Sequence, residues 1–245
     1  MIQSVERAAQ ILRCFEGQEL LGVTEIAEKT KLNKSTAFGL ISTLAAEGLL
    51  EQDSITGRYR LGLELFRLGN LVNTDTRRLV MPELTELTAA LKETLNFVRH
   101  EKGDVVYLIK KESPHSMRIC TKTGQRLPMY CTAVGKAILA YLPEAEREEI
   151  IAGFQYTPYT KYTVCSDGAL REQLAEIRRL GYAMDSEELE YELICVAVPV
   201  FNSIGYPIAA ISCSGPKARM TEEKLLACRE ALSASARRLS SIIPF

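Results

Sequence analysis

The stretch that decides the fold runs from Asn33 to Gly62 and reads NKSTAFGLISTLAAEGLLEQDSITGRYRLG. Asn33 belongs to the residue types that cap helices, and Gly48 ends the periodic segment that follows. The pattern therefore predicts a helix that runs to about Glu47. Its inward stripe comprises Ala37, Leu40, Ile41 and Leu44.

The opposite face of this helix is small and polar, with a single aromatic ring. It carries Ser35, Thr36, Phe38, Gly39, Ser42 and Thr43. Such a face can enter a DNA major groove without clashing, and its hydroxyls and ring can meet phosphates, base edges and thymine methyls. Lys34 lies at the helix start, where its charge and the free backbone N–H groups favour phosphate.

A β-hairpin is predicted after this helix. The runs 49–52 and 58–61 are joined by Asp53-Ser54-Ile55-Thr56-Gly57, which places a glycine at the turn. Arg58 and Arg60 alternate onto one face of the second strand. A hairpin behind a helix-turn-helix is a wing, and two arginines on it suit contact with the DNA backbone or minor groove.

Two shorter helices are predicted upstream of the polar-faced helix. Ser4 and Thr24 are the predicted caps, and Lys31-Leu32-Asn33 makes a tight turn. The alternative is a small helical bundle whose charges are merely solvated. The ordered set of helices, turn, polar-faced helix and basic hairpin favours a winged helix-turn-helix that binds DNA.

Composition sets limits on this prediction. The 245 residues are 47% hydrophobic and 25% charged, as in a globular protein. No apolar run approaches the roughly 20 residues that span a bilayer, and no targeting segment is visible, which predicts a cytoplasmic protein without membrane contact. The net charge is −1, so DNA binding must depend on where the basic residues lie rather than on bulk charge.

Cysteine and histidine usage argues against a metal centre and a disulfide framework. Seven cysteines are scattered without CxxC spacing, and only two histidines exist. This fits reduced thiols. A cysteine-dependent hydrolase or transferase using Cys131 or Cys195 is the rival interpretation, but neither His100 nor His115 shows a sign of reaching them. We therefore predict no catalytic residue, cofactor or metal.

A connector separates the predicted recognition domain, residues 1–62, from a second domain, residues 78–245. Residues 63–77 are predicted as a linker helix, with a polar hinge near 74–78. Such a helix can pair across a dimer or pack on its own domain. Pairing would hold two wings about one helical turn of DNA apart.

The second domain mixes strands with helices. The pattern predicts a hairpin of 97–101 with 105–110, a third strand over 117–122, and a pair of strands over 193–201 and 207–214. Helices are predicted from Thr132, Glu144, Gly168 and Thr221. An antiparallel sheet with helices packed on it is an α+β domain.

Small side chains alternate on the last two strands. Cys195 and Ala197 share one face of the first, and Ser212 and Ser214 share one face of the second. If these faces coincide, they leave a cavity suited to a small polar ligand. The alternative is that the small residues only allow a helix to pack closely on the sheet.

Two further segments carry candidate ligand contacts. Thr132 is a predicted helix cap, which leaves the N–H groups of Ala133 and Val134 free to hold a carboxylate. Asp185 can bind a ligand hydroxyl or cap a turn. Lys136 and Arg126 are interpreted as solvated charges unless a ligand recruits them.

The chain resembles the IclR family of bacterial regulators. In the first domain the resemblance is carried by Ser4-Val5-Glu6-Arg7-Ala8, Thr24-Glu25-Ile26-Ala27, Lys34-Ser35-Thr36 and Gly57-Arg58-Tyr59-Arg60-Leu61-Gly62. In the second it is carried by Leu127-Pro128, Gly135-Lys136-Ala137, Asp185-Ser186-Glu187-Glu188, Cys195-Val196-Ala197-Val198-Pro199-Val200 and Ala210-Ile211-Ser212-Cys213-Ser214-Gly215-Pro216.

The resemblance implies a winged helix-turn-helix joined to a GAF-like effector domain. It implies a homodimer, often paired into a tetramer, that binds a double-stranded DNA operator and represses a catabolic operon until a small organic acid or sugar acid binds. The implied effector contacts are Ile119, Leu127, Ala133, Val134, Asp185, Leu193, Cys195, Ser212 and Ser214. One departure is Gly39, where the family often has arginine, which leaves base contacts to Phe38, Ser42 or Thr43.

Overall fold

The computed structural model describes residues 2–69, 71 and 74–243. The chain divides into two compact units, Met1–Thr74 and Asp75–Phe245. The first unit contains α1 (Gln3–Arg13), α2 (Val23–Thr30), α3 (Lys34–Ala46), β1 (Leu50–Gln52), β2 (Tyr59–Leu61) and α4 (Leu63–Gly69). This is the predicted order of a winged helix-turn-helix, and the helical stripe and hairpin are confirmed.

The first unit is held by one apolar core. Ile11 of α1, Ile26 of α2 and Ile41 of α3 are fully buried against each other and against Leu50 of β1. β1 and β2 pair antiparallel. The wing is therefore packed on the same core as the three helices.

The predicted N-cap of α3 is confirmed, and the predicted N-caps of α1 and α2 are wrong. The Asn33 side chain accepts a hydrogen bond from the Thr36 N–H at 2.8 Å, as predicted for α3. Ser4 and Thr24 are not caps, because α1 and α2 begin one residue earlier. At α2 the Glu25 carboxylate accepts from the Gly22 N–H at 2.6 Å, which satisfies one of the unpaired first-turn donors.

The predicted connector differs from the observed one. Helix α4 ends at Gly69, and α5 spans Thr74–Leu91 without interruption. The predicted hinge at 74–78 is therefore wrong, because these residues form the first turns of α5. Residues 70, 72 and 73 of the predicted linker lie outside the described residues.

The second unit is a six-stranded antiparallel sheet with the order β5-β4-β3-β8-β7-β6. Its strands are β3 (Thr94–Glu101), β4 (Asp104–Lys111), β5 (Arg126–Pro128), β6 (Ala183–Ser186), β7 (Leu193–Phe201) and β8 (Pro207–Pro216). Its helices are α5, α6 (Ala133–Leu139), α7 (Glu144–Ala152), α8 (Asp167–Leu180) and α9 (Glu222–Ile242). The predicted α+β class is confirmed.

The two faces of this sheet have different cores. On one face Val196 and Ile211 pack with residues of α5 and α9 such as Leu84 and Leu232. On the other face the small side chain of Ala197 packs with residues of α6 and α8. The strand alternation thus assigns bulky residues to one layer and small ones to the other.

The predicted strand at 117–122 is wrong. These residues form no strand, and β4 pairs instead with β5. The segment is fixed by side chains rather than by a ladder, since the Thr94 hydroxyl donates to the Ile119 carbonyl at 3.3 Å and Lys110 Nζ donates to the Thr121 carbonyl at 2.6 Å. The segment therefore belongs to the fold as a hydrogen-bonded loop and not as a strand.

Gly135 in α6 marks a close approach of the chain to itself. A Cβ there would lie 2.3 Å from Met129 Cα and 2.5 Å from Met129 O. We expect Gly135→Ala to lower the free energy of unfolding by about 1–3 kcal/mol through overpacking, measured by urea denaturation. Gly168→Ala in α8 is the matched control, because open space surrounds that position and alanine favours helix; equal destabilisation by both would contradict the account.

Candidate functional site

The polar face of α3 is presented to solvent as predicted. Ala37, Ile41 and Leu44 are buried. Lys34, Ser35, Phe38, Gly39, Ser42 and Thr43 are exposed, and Thr36 is partly buried. Phe38 is 54% exposed, which leaves a large apolar ring without cover in the isolated chain. A Cβ at Gly39 would meet open space, so this face offers room for an approaching groove.

The wing arginines are less free than the sequence predicted. Arg58 Nη2 lies 2.6 Å from Glu25 Oε2 and also donates to the Leu20 carbonyl at 3.2 Å. Arg60 Nη2 lies 2.6 Å from Glu51 Oε1. Both arginines are ion-paired within their own unit, with partners that a local pattern does not indicate.

One cavity of about 320 Å³ in the second unit brings together all nine residues proposed as effector contacts. They are Ile119, Leu127, Ala133, Val134, Asp185, Leu193, Cys195, Ser212 and Ser214. Sequence reasoning missed further lining residues, namely Tyr107, Arg118, Cys120, Thr121, Gln125, Thr132, Leu189 and Glu190. Several of these come from the segment that was wrongly predicted as a strand.

Strand register creates this cavity. Cys195 pairs with Ser214, and Ala197 pairs with Ser212, so the two small-residue faces do coincide. Asp185 of β6 pairs with Cys195 and extends the row. Cross-strand partners share a face of the sheet, and small side chains on three adjacent strands leave the volume that larger ones would fill.

A buried polar side chain on β3 is hydrogen-bonded to two residues of the same wall. Asn96 is fully buried and pairs in register with Ser212. Its amide donates to Ser212 Oγ at 3.4 Å and its carbonyl accepts from Thr121 Oγ1 at 2.7 Å. Thr94 and Asn96, polar residues in the buried half of β3, are the sequence signal that could have revealed these contacts with the cavity wall.

Asp185 contributes a carboxyl to the cavity wall and is almost completely buried. Its Oδ1 accepts the Glu188 N–H at 2.7 Å. Burial raises the pKa of the Asp185 carboxyl to about 7, because removing water disfavours the ionised form. Near neutral pH this group can therefore either donate or accept a hydrogen bond toward the cavity.

Lys136 is not the solvated charge that the sequence suggested, because it is 1% exposed. Its ammonium bonds to the Glu188 carboxylate and donates to Gln173 Oε1 at 2.8 Å. A buried charge requires such partners. The Lys136 ammonium thus contacts the loop that follows Asp185. The sequence signal for this buried cation is a lysine within the apolar run of α6.

Arg126 is partly exposed, as predicted, and is ion-paired. It lies 2.6 Å from a Glu101 oxygen and 3.2 Å from an Asp104 oxygen.

Thr132 caps α6 as predicted, since its hydroxyl accepts from the Gly135 N–H at 3.2 Å. The first turn of α6 that follows this cap lines the cavity with Ala133 and Val134.

The cysteines are poorly suited to nucleophilic catalysis. Burial raises the pKa of Cys131 to about 12 and also raises that of Cys195, so little thiolate forms at neutral pH. His100 Nε2 lies 3.2 Å from the Tyr206 hydroxyl. The chemistry of these groups does not support the rival hydrolase or transferase.

Neither a metal cluster nor a membrane span is present in the described part of the chain. Across residues 2–69, 71 and 74–243, no three histidine, cysteine or acidic side chains gather as a metal site. Within the same residues, no helix is long and apolar enough to cross a membrane.

Comparison with known proteins identifies the family of this chain. Residues 4–54 match the IclR helix-turn-helix domain, and residues 69–241 match the bacterial transcriptional regulator IclR C-terminal domain. The chain is 38% identical to the HTH-type transcriptional regulator XynR of Escherichia coli over 100% of this chain and 98% of that protein. It is 34% identical to KdgR of the same organism, covering 98% and 92%.

Solved structures agree with this placement. An IclR regulator from Alicyclobacillus acidocaldarius shares 29% identity over 98% of both chains with a TM-score of 0.88. The Thermotoga maritima IclR shares 30% identity over 98% of both chains with a TM-score of 0.76. The chain belongs to the IclR family of DNA-binding transcriptional regulators, and it is not an enzyme.

Proposed function

We propose that this regulator is a repressor of a catabolic operon, released from DNA when a small organic acid or sugar acid enters the cavity. The observation that carries the proposal is that Asp185, Cys195, Ser212 and Ser214 line one cavity. A relative that is 31% identical over 98% of this chain is named as the HTH-type transcriptional repressor AllR, which supports repression. We place its action in the cytoplasm, where the operator is.

The chemistry of the wall suits a hydroxylated acid. Hydroxyls of Ser212, Ser214 and Thr121 supply donors and acceptors for ligand hydroxyls. The first-turn N–H groups of a helix have no partner within the helix, so Ala133 and Val134 can receive a carboxylate. Apolar residues such as Leu127 and Leu193 form other parts of the wall, and a few precisely placed polar groups are what orient a small ligand in such a site.

DNA binding is proposed to depend on the exposed face of α3 and on the wing. The residues concerned are Lys34, Ser35, Thr36, Phe38, Gly39, Ser42, Thr43, Arg58 and Arg60. A dimer, and a dimer of dimers, would present two such units to an operator with two half-sites. Exposed apolar side chains on and just after α4, with Leu63 at 78% and Leu71 at 66%, support pairing of this segment across the dimer.

Ligand response requires two arrangements of the dimer that differ in affinity for DNA. A ligand shifts their balance only by its own differential affinity for them. The connecting helices α4 and α5 transmit the change to the paired recognition domains in this proposal.

Ser214→Leu tests the cavity. Leucine would fill the space beside Cys195, so we expect the rise in melting temperature caused by small carboxylates and sugar acids to disappear. DNA binding, followed by fluorescence anisotropy, should survive but no longer respond to ligand. Ser203→Leu in the exposed β7–β8 turn is the matched control, and an equal loss in both variants would refute the assignment.

Asp185→Asn tests the buried carboxyl. The folded-state pKa of about 7 exceeds that of an unfolded aspartate, about 3.9, so the folded protein binds more protons between these values. Ionised Asp185 therefore lowers the free energy of unfolding as pH rises through this window. The melting temperature of the variant, relative to wild type, should be higher at pH 8 than at pH 5; a difference independent of pH would contradict this.

Lys34→Ala tests the DNA-facing helix. Loss of one phosphate contact should weaken binding to all duplexes and reduce the slope of log affinity against log salt by about one. Lys161→Ala, an exposed lysine in the other unit, should leave that slope unchanged. An unaltered slope for Lys34→Ala would exclude its contact with phosphate.

A further inference from the structure

The wing residue Arg58 turns back onto its own domain. Its Nη2 donates to both carboxylate oxygens of Glu25, at 2.8 and 2.6 Å, and to the Leu20 carbonyl at 3.2 Å. Its Nε is buried and has no hydrogen-bond partner among the described residues. Nε and Nη2 of the guanidinium therefore face the protein, while the Arg58 side chain as a whole is 42% exposed.

The partner of Arg58 is itself fixed. Glu25 is the third residue of α2, and its Oε2 accepts the Gly22 N–H at 2.6 Å. The backbone bond from Gly22 and the nearby Arg58 hold the pKa of Glu25 below its ordinary value. One carboxylate thus caps the first helix of the helix-turn-helix and receives the wing arginine.

A backbone bridge adjoins this ion pair. The Leu21 N–H donates to the Tyr59 carbonyl at 2.9 Å, and the Tyr59 N–H donates to the Leu21 carbonyl at 2.8 Å. Leu21 and Tyr59 are both buried. The segment before α2 is therefore joined to the second strand of the wing by main-chain hydrogen bonds between Leu21 and Tyr59. The side chains of Glu25 and Arg58 join α2 itself to the wing.

The other wing arginine lacks this arrangement. Arg60 makes one bond, to Glu51 on the neighbouring strand of the same hairpin. That bond links the wing to itself and does not reach α2. The two arginines, which the sequence treated alike, therefore serve different contacts.

We propose that Arg58 is a positioning residue, which acts on DNA binding through Glu25 by holding the wing against α2, and does not contact phosphate. The inference rests on the proposed DNA-binding surface and changes the role of one of its members. It implies that Glu25, an acidic residue in a DNA-binding domain, supports DNA binding.

Glu25→Gln separates positioning from direct contact. Glutamine can still accept from the Gly22 N–H, as in a capping box, but it gives up the charge that holds Arg58. The variant also loses one negative charge, which by itself strengthens attraction to phosphate. Weaker DNA binding by this variant would therefore run against simple electrostatics.

The experiment uses full-length protein and a duplex enriched from a random library by the wild type, titrated over a salt series. We expect Glu25→Gln and Arg58→Ala each to weaken binding about three- to tenfold, the range of one lost hydrogen bond. The slope against log salt should stay unchanged in Arg58→Ala. The double variant should bind no more weakly than the weaker single variant, because both remove one interaction.

Glu51→Gln is the matched control, since it makes the same charge change at the Arg60 pair. It should bind DNA as tightly as wild type or more tightly. If Glu25→Gln also binds as tightly or more tightly, and Arg58→Ala lowers the salt slope by about one, Arg58 contacts phosphate and the proposal is overturned. Wild type that binds no duplex would instead overturn the DNA-binding surface on which it rests.

Hydrogen exchange of the free protein tests, in the absence of DNA, whether the Arg58–Glu25 pair holds the wing against α2. The Leu21 and Tyr59 amides should exchange faster in Glu25→Gln and Arg58→Ala than in wild type, while Glu51→Gln leaves them unchanged. Unchanged exchange in the first two variants would show that the pair does not hold the wing, and the proposal would fail even if DNA binding fell.

Discussion

The register between β7 and β8 is the constraint on which the ligand cavity depends. It sets Cys195 opposite Ser214 and Ala197 opposite Ser212. A slip of one residue would exchange the two faces of a strand and bring Val196 or Ile194 into the space. The bulky members of the same strands are held by the core of α5 and α9, so the core that stabilises the sheet also keeps the cavity open.

The cavity wall can include the buried Asp185 carboxyl because the buried charges next to it are paired with each other. Lys136 and Glu188 neutralise each other within the fold, and the Glu188 N–H bonds to Asp185. The Asp185 carboxyl on the cavity wall is thus positioned by a loop that contains the ion-paired Glu188. This pairing avoids an isolated charge from Lys136 or Glu188 in the core.

The sequence predicted those features that depend on local periodicity. The bounds of α3, the wing hairpin and the alternation on β7 and β8 follow from apolar spacing, and all appear in the structure. The segment 117–122 was mistaken for a strand, whereas it forms no strand and its consecutive residues Arg118 to Thr121 line the cavity. Pairings such as Arg58 with Glu25, or Lys136 with Glu188, join residues far apart in sequence, and no local pattern specifies them.

The same limit explains the connector. The polar residues at 74–78 resemble a hinge in composition, yet they form the start of α5, because helix formation depends on the buried stripe at Val80 and Leu84 further along. Family resemblance suggested nine effector contacts, and all nine line one cavity. It did not supply the electrostatics, which come from this chain's own burial and pairing.

The most direct test of the central claim is a crystal structure of the full-length protein soaked with the small acid that most raises its melting temperature. The account predicts ligand density between β7, β8 and the start of α6, with oxygen atoms within hydrogen-bonding distance of Ser214 Oγ and the Asp185 carboxyl. Density that leaves this cavity empty and occupies another part of the second unit would contradict it.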